Sequence, residues 1–285
     1  MCRWIAYSGS PLNLARILFE PKHSLVQQSL DSYEGAEATN GDGFGLGWYA
    51  SGRAAPGRYR SVSPAWNDQN LLDLATHIDS HLAFAHVRAT TGSPVQQTNC
   101  HPFAHDNWLF QHNGSIAMHE GMHRDLLLCV APELFDSIAG STDTELLFYL
   151  ALSDGLADDP IGAFERTIGM IESMAVGRDI DCAVQGTFAV SDGHTLWVVR
   201  YSSIHRSRSL YYSQDIDTIR SLYPDVRLQD PVPDDARFVA SEPFTDNLPG
   251  LWIEVPESEA IIVRRGEPVE HRPFVPVHAQ VPTTA

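Results

Sequence analysis

The sequence has little of what would staple a chain covalently or carry it into a membrane. Four cysteines, Cys2, Cys100, Cys129 and Cys182, are scattered through 285 residues with no CxxC pair. That excludes a disulfide framework and a zinc ribbon and leaves reduced thiols as the expectation. No run of 18 apolar residues occurs, and the N-terminus lacks the basic-then-apolar order of a secretory signal, so a soluble, cytoplasmic protein is expected. Positive charge is also scarce: 19 Lys and Arg against 36 Asp and Glu give a formal net charge of -17. Such a surface repels phosphate backbones and anionic lipid, so neither nucleic acid nor a membrane is an expected partner. There is no internal repeat and no low-complexity block.

What is present is enough apolar material, 43% of residues, to bury a sizeable core. Residues 2–8 read as a buried strand, and Ser10-Pro11 as an N-cap and first-turn proline for a helix through Phe19, stopped by Pro21. "NGDGFGLGWY" (40–49) places four glycines ahead of an apolar strand; "LAFAHVRAT" (82–90) and "WLFQHNG" (108–114) are further strands. Helices are expected at 71–81, at about 144–152, and from Pro160 to Ala175. "TFAVSDGHTLWVVRY" alternates around Asp192-Gly193 as a hairpin does, and "RFVASEPF" and "AIIVRRGEPVEHRPF" add later strands. Strand sets at both ends with helices between them predict an α+β layered domain. From about Pro273 proline and small polar residues dominate, which predicts a loose extension.

The chemistry starts at the second residue. As a strand residue Cys2 is a small hydrophobe. If Met1 is excised, however, Cys2 carries a thiol and a free α-amine together, with reference pKa values of about 8.5 and about 7.7 to 8.0. The nucleophile's own amine can then serve as its base. In "QHNGSI", Asn113 offers an amide donor and Gly114 a backbone N–H without an obstructing side chain, the parts of an oxyanion hole; the same Asn-Gly pair is also a common turn. Arg88, near the end of an apolar strand, needs an anion or a route to water, and suits either a substrate carboxylate or a structural ion pair. In "STDTE", Thr142 and Glu145 have the spacing of a capping box, making Asp143 a first-turn acid that favours the helix dipole or binds a substrate ammonium.

In order, a Met-Cys start, "NGDGFGLGWY", "HVRATTG", "TNCHPF", "HNG" and "TDTE" run through the first 150 or so residues, with "FVASEPF" later. This series resembles the class II glutamine amidotransferases over about residues 2–265, leaving 266–285 as a C-terminal extension. The resemblance implies an N-terminal-nucleophile hydrolase fold, a four-layer αββα sandwich of two antiparallel sheets between helices. It also implies release of ammonia or an amine from a γ-glutamyl amide. Cys2 would be the nucleophile, Asn113 and Gly114 the oxyanion hole, Arg88 the ligand of the substrate carboxylate and Asp143 that of its α-amine, with Thr90 or Thr91 supporting the glutamyl pocket. No metal or organic cofactor is expected. The roughly 20 residues beyond the matched part are too few for an acceptor domain. Ammonia therefore passes to a separate synthase subunit, or the chain acts alone, like the family's glutathione-degradation and ergothioneine-pathway hydrolases.

Two other readings compete. "HEGMH" spells the HExxH of zinc hydrolases, with His119 and His123 one turn apart and Glu120 as base. Gly121 interrupts that helix, and a third ligand would have to be Glu133 or Glu145. The other is a non-catalytic module that binds glutamine or a γ-glutamyl group, with Met1 retained and the amine blocked.

Overall fold

A computed structural model describes residues 2–31, 39–90, 92–118, 121–178, 180–222, 232–244 and 250–278. Two antiparallel sheets face one another. The seven-stranded sheet contains β1 (Arg3–Asn13), β2 (Phe44–Trp48), β3 (Gly57–Ser61), β4 (Asp79–Val87), β9 (Tyr211–Ser213), β10 (Arg237–Ala240) and β11 (Trp252–Glu254), in the order β11-β9-β10-β1-β4-β2-β3. The six-stranded sheet contains β5 (Phe103–His105), β6 (Trp108–Ile116), β7 (Val184–Ser191), β8 (Thr195–Ser202), β12 (Glu259–Arg264) and β13 (Glu270–Pro273), in the order β13-β12-β8-β7-β6-β5. The helices are α1 (Ala15–Leu18), α2 (Leu25–Leu30), α3 (Gln69–His77), α4 (Met122–Leu127), α5 (Pro132–Phe135), α6 (Asp143–Ser153), α7 (Pro160–Ala175) and α8 (Ile216–Leu222).

Strand alternation builds the layers, because successive side chains leave a strand on opposite faces. In β1, Trp4 and Ala6 join Phe84, Leu109, Val198 and Ile261 between the two sheets. Ile5 and Tyr7 point the other way, into a core shared with α1, α2 and α3. On the far side of the six-stranded sheet, Phe110 stacks on Phe148 of α6 and Phe164 of α7, at 5.2 and 5.5 Å between ring centroids. Three apolar interfaces separate helices, sheet, sheet and helices. This is the four-layer sandwich of N-terminal-nucleophile hydrolases.

Local signals explain several boundaries. Asp159 caps α7 through Gly162 N–H at 3.1 Å with Pro160 in its first turn, and Asp192 Oδ1 accepts from His194 and Thr195 N–H in the β7–β8 hairpin. Others were overridden by tertiary contacts. Ser10 does not cap a helix: its N–H and hydroxyl donate to Asp235 at 2.8 and 3.0 Å, so β1 continues to Asn13 and α1 spans only residues 15–18. The helix expected at 71–81 runs over Gln69–His77, because Ile78 is already extended and leads into β4. The expected loose tail is packed as far as residue 278. β13 pairs with β12, Phe274 is buried, and Val275 N–H donates to the Glu165 carboxylate at 3.0 Å. Val277 N–H then bonds Glu165 O at 2.9 Å, passing so close to α7 that a Cβ on Gly169 would lie 2.1 Å from the Val277 carbonyl oxygen. Among the described residues no helix is long and apolar enough to cross a membrane.

Candidate active site

Cys2 sits just ahead of β1, and the β1–β4 register (Arg3 opposite Val87) brings it beside Arg88. Its thiol points to Ala89 O at 3.5 Å. Three polar links pin β1 and β4 to the facing sheet: Gln111 Nε2 donates to Ile5 O at 3.1 Å, Trp4 Nε1 to Thr187 Oγ1 at 3.1 Å, and His86 Nε2 lies 3.2 Å from His112 O. These bonds fix the end of β6 that carries Asn113 and Gly114 at the same edge of the sandwich as Cys2. Asn113 is 4% exposed. Gly114 is exposed, yet a Cβ there would lie 2.0 Å from Gln185 O and 2.5 Å from the His112 ring. Only glycine allows β6 and β7 to approach this closely.

Arg88 is 3% exposed. Its guanidinium donates to Ser93 Oγ at 2.6 Å and to the carbonyls of Pro94, Asp42 and Ser93 at 3.2, 3.4 and 3.4 Å. No carboxylate lies within ion-pair distance among the described residues. The surrounding oxygens hold the group in place but leave its charge uncancelled, and a buried cation without an acid calls for an anionic ligand. Thr90 builds this wall: its N–H donates to Asp42 Oδ2 at 2.8 Å and its hydroxyl to Ser93 O at 2.8 Å. Thr91 lies outside the described residues.

Asp143 opens α6, where its half-buried carboxylate accepts from Ile116 N–H and Thr144 N–H, each at 2.8 Å. Only half of the expected capping box forms. Thr142 Oγ1 accepts from Glu145 N–H at 3.2 Å, but the Glu145 carboxylate turns to the N–H groups of Ala139 and Gly140, at 3.1 and 2.6 Å. Asn99 connects the two ends of the site. Its amide donates to Pro94 O, which also accepts from Arg88, and its Oδ1 accepts from Ser141 N–H at 2.9 Å.

Two further groups escaped the sequence reading. Behind Cys2, Arg3 Nη1 donates to Cys2 O at 3.0 Å and Nε pairs with Glu242 at 3.0 Å; Glu242 also contacts His23 at 2.5 Å. Nothing local in "FVASEPF" indicates that its glutamate holds the residue next to Cys2. His86 and His101 are buried against each other, with Nδ1 atoms 3.3 Å apart, and His112 is buried on the α6 side of β6, its Nδ1 3.0 Å from Thr144 Oγ1. Burial, followed by repulsion from Arg88, lowers the His86 pKa to about 3; burial likewise depresses His101 and His112. All three are neutral at pH 7. Burial pushes the Cys2 thiol up, with Arg88 pulling it down and Asp143 pushing it up. The thiol therefore needs a base to react at neutral pH, and both charged neighbours lie close enough to affect it.

The structure thus brings Cys2, Arg88, Asn113, Gly114 and Asp143 to one edge. A family model described as "Glutamine amidotransferases class-II" matches residues 20–284. The chain belongs to the class II glutamine amidotransferases. The match extends past residue 265, consistent with the packed tail. Within the family, the chain is 36% identical to the probable glutamine amidotransferase DUG3 of Saccharomyces cerevisiae, over 93% of this chain and 82% of that protein. It is 27% identical to the γ-glutamyl-hercynylcysteine sulfoxide hydrolase of Mycolicibacterium smegmatis, over 93% and 96%. A glutamine aminotransferase class-II domain protein from Silicibacter pomeroyi superposes with a TM-score of 0.73 at 32% identity, covering 97% of this chain and all of that one. The fold alone is shared with glutamine phosphoribosylpyrophosphate amidotransferase of Bacillus subtilis, at a TM-score of 0.63 and 18% identity; the chain covers 49% of that enzyme.

Of the residues in the HExxH reading, His119 and Glu120 lie outside the described residues, and His123 is exposed on α4, which begins only after Gly121. Among the described residues no group of three or more His, Cys, Asp and Glu is arranged to hold a metal.

Proposed function

We propose that this chain hydrolyses γ-glutamyl amides with Cys2 as its nucleophile. The observation that carries the reading is the buried Arg88 guanidinium, in register with Cys2 and without a carboxylate partner among the described residues. Arg88 binds the α-carboxylate of the substrate and Asp143 its α-ammonium, with Thr90 or Thr91 supporting the glutamyl pocket. Removal of Met1 frees the α-amine of Cys2, which takes the thiol proton. The thiolate then attacks the γ-carbonyl carbon and the S–C bond forms. The oxyanion accepts from the Asn113 amide and Gly114 N–H. As the C–N bond breaks, the α-ammonium returns the proton to the departing nitrogen, so the amine or ammonia leaves neutral. The same amine next takes a proton from water, whose oxygen attacks the thioester; the C–S bond breaks, the thiolate recovers the proton, and glutamate departs.

The substrate is glutamine or a larger γ-glutamyl compound, and the hydrolase relative from Mycolicibacterium favours the latter. An ammonia-accepting synthase subunit is required only in the glutamine case. Four free thiols suit the cytoplasm. Glutamate release from glutamine, glutathione and γ-glutamylcysteine, measured side by side, tests the reading. Asn113→Ala is expected to lower turnover about 10²- to 10³-fold on the best of the three. Unchanged turnover in that variant would refute its role in the oxyanion hole.

A further inference from the structure

Arg208 is the second arginine of "HRSRS", between β8 and β9, in a chain with almost twice as many acids as bases. It is half-buried, its Nε is buried without a hydrogen-bond partner, and it forms no ion pair among the described residues. The segment around it is tied down on both sides. Ser207 N–H donates to Glu257 at 3.0 Å and Arg200 Nε donates to Ser207 Oγ at 2.8 Å, while Ser209 Oγ donates to Ser241 O at 2.9 Å. The Arg206 carbonyl accepts from the side chain of Gln185, whose own carbonyl lies against Gly114.

Strand register places this arginine relative to the nucleophile. The pairings Ile5 with Ala240 and Ala240 with Tyr211 continue three residues outward to set Cys2 opposite Pro243 and Pro243 opposite Arg208. The contact between Arg3 and Glu242 follows this register beyond the regular strands, and the Ser209 Oγ bond to Ser241 O holds the segment before β9 alongside. On the other side, the pairing of Arg3 with Val87 sets Cys2 opposite Arg88. One row across the sheet therefore reads Arg88, Cys2, Pro243, Arg208. Members of such a row share a face. That face is the one toward the second sheet, since Trp4 follows Cys2 at the two-residue period and Leu210 and Tyr212 follow Arg208. Arg208 is about two strand spacings, ~10 Å, from Cys2, on the side opposite Arg88.

If the glutamyl half of a substrate extends from Cys2 toward Arg88, the leaving amine extends toward Arg208. Glutamine places nothing there except ammonia. We propose that Arg208 binds a carboxylate on the leaving amine, making this chain a hydrolase of γ-glutamyl amino acids or peptides. Glu257 forms no ion pair with Arg208 among the described residues: its Oε2 accepts from Ser207, and its Oε1 is buried without a partner. The inference rests on Cys2 and Arg88 acting as proposed above.

The test compares γ-glutamylglycine with γ-glutamylmethylamide, which differ in the leaving-group carboxylate. The wild-type chain is expected to favour γ-glutamylglycine in kcat/KM, mainly through KM, and Arg208→Met to reduce that preference about 10- to 100-fold. Arg208→Lys retains part of it, separating charge recognition from a structural lesion. No wild-type preference, or a preference unaltered in Arg208→Met, would overturn the proposal. Calorimetric titration of Cys2→Ala with L-glutamate and with both amides separates the two levels of inference. If none of the three binds, the γ-glutamyl reading fails; if both amides bind equally well, only the role of Arg208 fails.

Discussion

Arg3 and Arg88 are both almost fully buried, at 2% and 3% exposure, and both lie next to Cys2, yet they differ in company. Arg3 faces the helix layer, where Glu242 pairs with it and His23 contacts the same carboxylate; its remaining contact is the carbonyl of Cys2. Arg88 is surrounded by neutral oxygens from residues 42, 93 and 94. A buried ion pair adds little net stability, because desolvation offsets attraction, but it fixes geometry. Arg3 is best understood as a fixture that holds the backbone of Cys2. An uncancelled guanidinium costs stability until an anion arrives, which suits the receptor role proposed for Arg88.

Removing each arginine should expose that difference. Arg3→Met leaves Glu242 buried without its cation and is expected to cost about 3 to 5 kcal/mol in urea unfolding. A loss near zero would mean that the triad is not the fixture described. Arg88→Met abandons hydrogen bonds but no buried carboxylate, so its stability should fall less. Its effect appears in ligand response: L-glutamate should raise the melting temperature of the wild type, and Arg88→Met should weaken glutamate binding by about 1.5 to 3 kcal/mol. Equal glutamate protection in the two variants would erase the distinction.

The last effect concerns pH. Arg88 helps to hold His86 and His101 neutral. Below a pH of about 6.5 the unfolded chain takes protons that the folded His86 refuses until about pH 3. The contribution of His86 is therefore intact above its unfolded pKa and is lost progressively as pH falls through that window, by up to about 1.4 kcal/mol per pH unit. Urea midpoints at pH 7.5, 6 and 5 should decline, and His86→Gln should flatten the decline. A pH-independent midpoint would contradict the neutral cluster.

The same contrast shows what the sequence could disclose. Arg88, Asn113, Gly114 and Asp143 lie in short motifs at strand ends and a helix start, where a polar group in an apolar run is visible. The partners of Arg3 are invisible to such reading, since Glu242 lies 239 residues away and no periodicity links them. Asn99 lies in "TNCHPF", but its bond to Ser141 spans 42 residues. Local signals also misled where a distant group competed, as Asp235 does for Ser10 and the N–H groups of Ala139 and Gly140 do for Glu145. Alternation and the Asp-Gly hairpin disclosed the layers because those rules depend only on neighbours.

In the proposed reaction Cys2, freed of Met1, forms a γ-glutamyl thioester. Intact mass and peptide mapping after treatment with an electrophilic glutamine analogue test it directly. The expected result is a chain lacking Met1, with one adduct on Cys2 that L-glutamate suppresses and Arg88→Met diminishes. Retained Met1, or labelling confined to Cys100, Cys129 or Cys182, would contradict the account.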